Sequence, residues 1–113
     1  VFWRCQLKRV GFEMKIKAKS IKEYKEWHAN VWPEMLDALR KNGWKNYSIF
    51  LRPDGTLFGY FEVIDSFKNA LERMSKEKIN TDWQNLMSQY FELPKGAHPD
   101  KNMIEWEEVF HLD

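Results

Sequence analysis

The order of hydrophobic periods along the chain predicts an α+β sandwich of the split βαβ kind: a four-stranded antiparallel sheet with helices on one face. Three observations carry this. Apolar residues alternate at period two in Val10–Ile16, Tyr47–Leu51 and Leu57–Ile64. They recur at helical spacing between the first two of these stretches and again beyond Ser66. A last strand-like stretch, Ile104 to Leu112, closes a β-α-β-β-α-β order. The whole fits within 113 residues, so residues 1–113 are expected to form one domain, with no linker, repeat or low-complexity tract.

In the first strand Val10, Phe12, Met14 and Ile16 face one side, and Gly11, Glu13, Lys15 and Lys17 the other. Ser20 followed by Glu23 has the form of a capping box opening a helix. Ile21, Tyr24, His28, Val31 or Trp32, Met35, Leu36 and Leu39 then share a face, and Gly43 is the expected stop. Pro33 falls inside this run; it removes a backbone donor and disfavours helix at Trp32, so a break is expected at Asn30–Trp32. Tyr47–Leu51 and Leu57–Ile64 read as a hairpin around Pro53-Asp54-Gly55. Ser66 caps a helix to about Lys78, and Thr81 or Asp82 is expected to cap a final one, with Trp83-Gln84 at its start. Leu93 to Met103 reads as loop, with Pro94, Gly96 and Pro99, and Glu107-Glu108 suggests a bulge in the closing strand. One sheet face is left without cover. Its residues, Phe50, Phe58 and Tyr60 among Arg9, Glu13, Lys15 and Arg52, suit a dimer interface or a wet binding surface.

Composition narrows the function. Eighteen Lys and Arg against seventeen Asp and Glu leave a net charge of +1, which argues against a protein that grips nucleic acid or an anionic membrane by charge. A hydrophobic share of 43% with 31% mixed charge argues against disorder. No stretch approaches the roughly 18 apolar residues of a membrane span, and the N-terminal stretch has no apolar run resembling a secretion signal. The single Cys5 excludes an internal disulfide and a multi-thiolate metal site, and a reducing cytoplasm is the expected compartment. The aromatic share of 16%, with six Trp, exceeds what a small core needs. Each Trp also brings an N–H that wants a partner, so some rings are expected to face a ligand or a second subunit.

Tyr24 and His28 stand one turn apart on the helix face directed at the sheet. They read either as an ordinary core pair, each satisfied by a backbone carbonyl, or as an acid–base pair in a pocket between helix and sheet. Histidine suits the second role because its usual pKa of about 6.5 permits both giving and taking a proton near neutrality. Tyr47, on the same side of its strand as Ile49 and Leu51, can bring a hydroxyl to this region, though Tyr is also a common strand residue. Trp83-Gln84 has the makings of a sugar site, a ring for C–H faces beside an amide for hydroxyls, or of a Trp that covers the core edge. Thr56 to Val63 partly resembles an RNA-recognition octapeptide, but it lacks the Lys/Arg-Gly start and the final aromatic. His98 and His111 lack ligand-spaced neighbours, and no phosphate loop, nucleophile elbow or Cys/His pairing occurs. Neither a metal nor a cofactor is expected, and simple proton transfer is the enzyme chemistry that remains.

From Lys8-Arg9-Val10-Gly11-Phe12 to Glu108-Val109-Phe110-His111-Leu112 the sequence resembles the L-rhamnose mutarotase family. The most specific pieces are Glu23-Tyr24-Lys25-Glu26-Trp27-His28 leading into Trp32-Pro33-Glu34-Met35, then Gly43-Trp44-Lys45-Asn46-Tyr47, Trp83-Gln84 with Met87, and the Glu-Val-Phe-His-Leu ending. The resemblance implies a homodimeric, ferredoxin-like α+β fold in a barrel-like assembly, and interconversion of the anomers of L-rhamnose, a 6-deoxyhexose. It makes His28 the proton donor, has Tyr24 and Tyr47 contact the sugar, and places Trp83-Gln84 at the site. Some family members carry two tryptophans where this chain has Trp83-Gln84. A related group acting on L-fucose shares the Tyr…His…Trp-Pro-Glu framework; the Asn46–Leu51 strand is more like the rhamnose group. A cofactor-free or haem-degrading monooxygenase is a further reading by analogy of fold alone.

Mutarotation asks for what the residues offer. A base takes the anomeric hydroxyl proton, an acid protonates the ring oxygen, and the open aldehyde turns about one bond and recloses. Positioned acid–base groups supply about 10²–10⁴-fold over a reaction that already runs in water. No cofactor is required, and aromatic walls such as Trp83 can bury the C–H faces and methyl of a 6-deoxy sugar.

Overall fold

Alternating apolar residues and two helical runs, the first broken at Pro33, build the expected two layers. The computed structural model describes residues 7–94 and 97–113. Cys5, the N-terminal stretch and Gly96 lie outside the described residues. The elements are β1 (Lys8–Lys15), α1 (Ile21–Ala29), α2 (Pro33–Lys41), β2 (Lys45–Leu51), β3 (Thr56–Val63), α3 (Phe67–Ser75), α4 (Lys78–Met87) and β4 (Ile104–Trp106). The sheet runs β2-β3-β1-β4 with antiparallel pairings, the ferredoxin-like arrangement. Among the described residues, no helix is long and apolar enough to cross a membrane.

Val10, Phe12 and Met14 of β1, Ile16 just beyond it, and Leu57, Phe61 and Val63 of β3 are buried against the helices, together with Met35, Ala38, Phe67, Ala70, Met74, Trp83 and Met87. Phe12 stands opposite Gly59 in the β1–β3 ladder, and a Cβ at Gly59 would collide with the Phe12 ring. The ring occupies the space that a side chain would take. Phe12 then stacks on Phe67 at 5.3 Å, tying β1 to α3.

The expected break between Asn30 and Trp32 is present. Trp32 is extended at φ −54°, ψ 130°, as a residue before proline should be, and Pro33 takes the first position of α2, where its missing N–H costs nothing. Gly43 stops α2 at φ +82°, with Gly43 N–H donating to Arg40 and Trp44 N–H to Leu39, a Schellman closure.

Several boundaries differ from expectation. The helix capped by Ser66 ends at Ser75 rather than about Lys78, because the chain turns at Lys76-Glu77 to start the next helix. Ser20 precedes α1 without a side-chain cap, because a 3₁₀ turn over Ala18–Ser20 leaves it at φ −103°, ψ 4° rather than extended. The last helix begins at Lys78 on Glu77, not at Thr81 or Asp82, so Trp83-Gln84 lies in its middle. Asn80, Trp83, Gln84 and Met87 then share its buried face, and Asp82 pairs outward with Lys78 at 3.1 Å. β2 begins at Lys45, two residues early, by way of an irregularity at Asn46-Tyr47. The closing strand ends at Trp106 instead of running to Leu112. There Glu107-Glu108 ends the ladder, and Arg9 receives Glu108 through two side-chain bonds of 2.7 and 2.9 Å.

Candidate active site

The helix break builds the site. It ends α1 one residue after His28 and restarts the chain so that Val31, Met35, Leu36 and Leu39 wall a cavity of about 200 Å³. β2 contributes Tyr47 and Ile49, with Trp44 just before it, α3 contributes Leu71 and Met74, and α4 contributes Asn80, Trp83 and Gln84. Asp100 and Met103 from the 97–103 segment complete it. The volume lies below the ~300–1,000 Å³ of drug-sized sites and suits a small molecule such as one sugar ring. A larger, open trough of about 670 Å³ runs between β1 and the C-terminal tail, but its Arg9 is already engaged by Glu108.

His28 Nδ1 lies 2.9 Å from the Tyr24 carbonyl, and its ring stacks on the Tyr24 ring with centroids 4.0 Å apart. A carbonyl only accepts, so the neutral imidazole carries its proton on Nδ1 and its lone pair on Nε2. Burial pushes the His28 pKa below its ordinary value, partly opposed by the bond to Tyr24. Tyr24 itself is buried behind His28 rather than on the cavity wall, edge-on to Phe91 at 5.9 Å. Burial raises the pKa of both tyrosines, and for Tyr24 the neighbouring Tyr47 adds to the rise. Both therefore keep their protons across the neutral range.

Tyr47 reaches the cavity through a β-bulge. Lys45 pairs with Glu62 and Ser48 with Tyr60, so Asn46 and Tyr47 together oppose Phe61. Asn46 takes φ +51°, a conformation that Asn tolerates better than most residues, and its side chain donates to Glu62 at 3.2 Å. The bulge turns Tyr47 to the inner side with Ile49, where its ring lies 5.1 Å from Trp44.

Trp83 is 5% exposed and serves both purposes considered for it: it packs in the core and lines the cavity. Its ring meets His28 at 5.5 Å, Trp32 at 5.1 Å and Trp27 at 6.4 Å, all edge to face. Trp27 donates its indole N–H to Tyr90 Oη at 3.1 Å. Half of the tryptophans, Trp27, Trp32 and Trp83, thus form one aromatic cluster, of which Trp83 lines the cavity. Gln84 Nε2 donates to Asn80 Oδ1, and Asn80 Nδ2 donates to Asp100 Oδ2, each at 3.1 Å. Asn80 and Asp100 were not expected from the sequence. Asn80 stands three and four residues before Trp83 and Gln84, which is the helical spacing that would have found it. Asp100 lies in a loop and left no periodic signal.

His28, Tyr47, Trp83 and Gln84 therefore share one cavity, with Tyr24 directly behind His28. Among the described residues, no cluster of three His, Cys, Asp or Glu side chains is placed to hold a metal.

Comparison with known proteins identifies the family of the chain as a whole. The family model described as L-rhamnose mutarotase matches residues 9–112. L-rhamnose mutarotase of Oceanobacillus iheyensis is 36% identical over 95% of this chain and 100% of its own length. That of Lactiplantibacillus plantarum is 37% identical, over 93% of this chain and 98% of its own. The crystal structure of L-rhamnose mutarotase from Formosa agariphila superposes with a TM-score of 0.76 at 29% identity, covering 94% of this chain and 99% of that one. With a family model spanning nearly all of it and full-length relatives above 30% identity, the chain belongs to the L-rhamnose mutarotase family.

Proposed function

We propose that this protein interconverts the α and β anomers of L-rhamnose by opening and reclosing the sugar ring, with His28 as the group that carries the proton. The observation that supports the role is the fixed tautomer: Nδ1 is committed to the Tyr24 carbonyl, so the lone pair of a cavity-lining imidazole is on Nε2. Nε2 takes the proton of the anomeric hydroxyl, the C1–O1 bond becomes a carbonyl, and the bond from C1 to the ring oxygen breaks. The ring oxygen leaves with the electron pair and receives the proton from the imidazolium. Both oxygens sit on C1, so one histidine can serve both. Rotation about C1–C2 and the reverse sequence give the other anomer, with no net gain or loss of protons.

The remaining roles follow from chemistry and position. Tyr47, which keeps its proton, can donate to the ring oxygen as negative charge develops there. Trp83 offers an apolar wall to a C–H face, and Gln84 a polar group to a hydroxyl. Tyr24 acts chiefly through His28, fixing its tautomer by the backbone and its plane by stacking. Saturation-transfer NMR on L-rhamnose tests the proposal directly. Exchange between anomers should be faster with protein than in buffer; an unchanged rate would refute it. The same measurement on L-fucose reports the preference between the two sugars.

We also propose a homodimer joined through the uncovered sheet face. Phe50 is 62% exposed, Ile104 60% and Trp106 54%, and Phe58 stands opposite Phe50 and packs on Trp106, a cluster of exposed apolar side chains of the kind an interface covers.

A further inference from the structure

The polar groups around the cavity do not balance. Gln84 donates to Asn80 and Asn80 to Asp100 Oδ2, so one oxygen of that carboxylate is held by a buried relay. Asn80 is 3% exposed and Gln84 8%, which makes the relay part of the core rather than a surface accident. The other oxygen, Asp100 Oδ1, is buried with no hydrogen-bond partner among the described residues. A carboxylate can only accept, and leaving a buried charged acceptor unpaired is one of the more costly omissions a fold can make.

Lys68, Ser75 and Lys101 line the cleft beside Asp100, yet neither they nor any other described residue hydrogen-bonds Oδ1. Leu71 and Met103, which share with Asp100 both the cavity and that cleft, carry no side-chain donor. A donor on what fills the cavity, whose wall includes Asp100, is free to pair with Oδ1. A sugar hydroxyl is such a group. We infer that Asp100 is a specificity-determining residue that accepts a hydrogen bond from one substrate hydroxyl, with Asn80 and Gln84 as the positioning residues that aim it. This rests on the proposed L-rhamnose activity and deepens it. A site built to hydrogen-bond a hydroxyl rejects an analogue lacking it far more strongly than an apolar pocket rejects a missing methylene. The relay thus gives an aromatic site a means of telling hydroxyl patterns apart.

Anomer-exchange kinetics on L-rhamnose and on its 2-, 3- and 4-deoxy analogues decide the matter, with wild type, Asp100→Ala, Asp100→Asn and Asn80→Ala compared and folding checked by near-ultraviolet circular dichroism. Both Asp100 variants should raise KM by about 10- to 100-fold, as expected for a hydrogen bond to a charged group, while kcat stays within about threefold. Asn80→Ala should move KM the same way by less. One deoxy analogue should lose affinity with wild type yet match L-rhamnose with Asp100→Ala, because the same bond is absent in both. Folded Asp100 variants with wild-type KM would overturn the inference, as would a loss confined to kcat. Should an Asp100 variant fail to fold, the analogue series on wild type still decides: equal KM for all three overturns it. A wild type that does not accelerate exchange at all refutes the L-rhamnose reading instead, an outcome distinct from every variant result.

Discussion

The Tyr24 carbonyl oxygen lies 2.9 Å from His28 Nδ1 while the two rings stack at 4.0 Å and 25°. One residue, a single turn upstream, thus sets the tautomer with its backbone and the ring plane with its side chain. The backbone part survives any substitution at Tyr24; the stacking part does not. His28→Ala should therefore cost about 10²–10⁴-fold in the catalysed rate, the usual worth of a positioned acid–base group. Tyr24→Phe, which keeps the ring, should lose much less than Tyr24→Ala. Saturation-transfer rates on the folded variants check the order. If Tyr24→Ala matches Tyr24→Phe, the stacking contributes nothing.

The pH dependence has a definite sign. Burial holds the His28 pKa below its ordinary value of about 6.5, so the neutral, proton-accepting form persists into mildly acidic solution. The kcat/KM profile should stay flat as pH falls through about 6.5, then decline by about tenfold per pH unit below the lowered pKa. Stability should follow the same direction. Above about 6.5 the ring is neutral both folded and unfolded; below it the unfolded chain takes up the proton first, so stability is lost as pH falls. A His28→Gln variant should lose this component of the acid-side decline in urea titrations, and an unchanged decline would remove His28 from the account.

How much of this was legible from the sequence depends on which interactions are local. The alternation of β1, the Pro33 break and the Gly43 stop are properties of a few consecutive residues, and each is found where its chemistry puts it. His28 beside Tyr24 is likewise a matter of helical spacing. Asn80 was hidden because Thr81 and Asp82 look like caps, whereas burial of Trp83 and Met87 extends the helix back past them. Asp100 was hidden because its partner is 20 residues away and nothing periodic connects them. Just past the end of β4, Glu108 pairs with Arg9, a contact that spans almost the whole chain and leaves no local signal in the sequence.

The bulge at Asn46 yields a sharper test of how Tyr47 is aimed. At φ +51° a β-branched residue is strained, whereas glycine is not. Asn46→Val should destabilise by about 1–2 kcal/mol in urea and raise KM by displacing Tyr47. Asn46→Gly should stay within about 1 kcal/mol of wild type and keep its KM. Equal behaviour of the two variants would show that the bulge does not need this conformation.

The uncovered face allows a test of assembly that leaves the cavity alone. Phe50 is 62% exposed in the single chain and stands opposite Phe58 in the β2–β3 ladder. Losing that cross-strand pair costs about 1 kcal/mol or less, so Phe50→Glu should fold. In a dimer built on this face, the same change would bury an unpaired carboxylate on each side of the interface. Sedimentation equilibrium across micromolar concentrations should then find a dimer for wild type and a monomer for Phe50→Glu. Comparable thermal stability of the two at low concentration would separate lost assembly from lost folding. A wild type that stays monomeric throughout would leave the exposed Phe50, Ile104 and Trp106 without the proposed partner, and would move the search for what covers them to another protein.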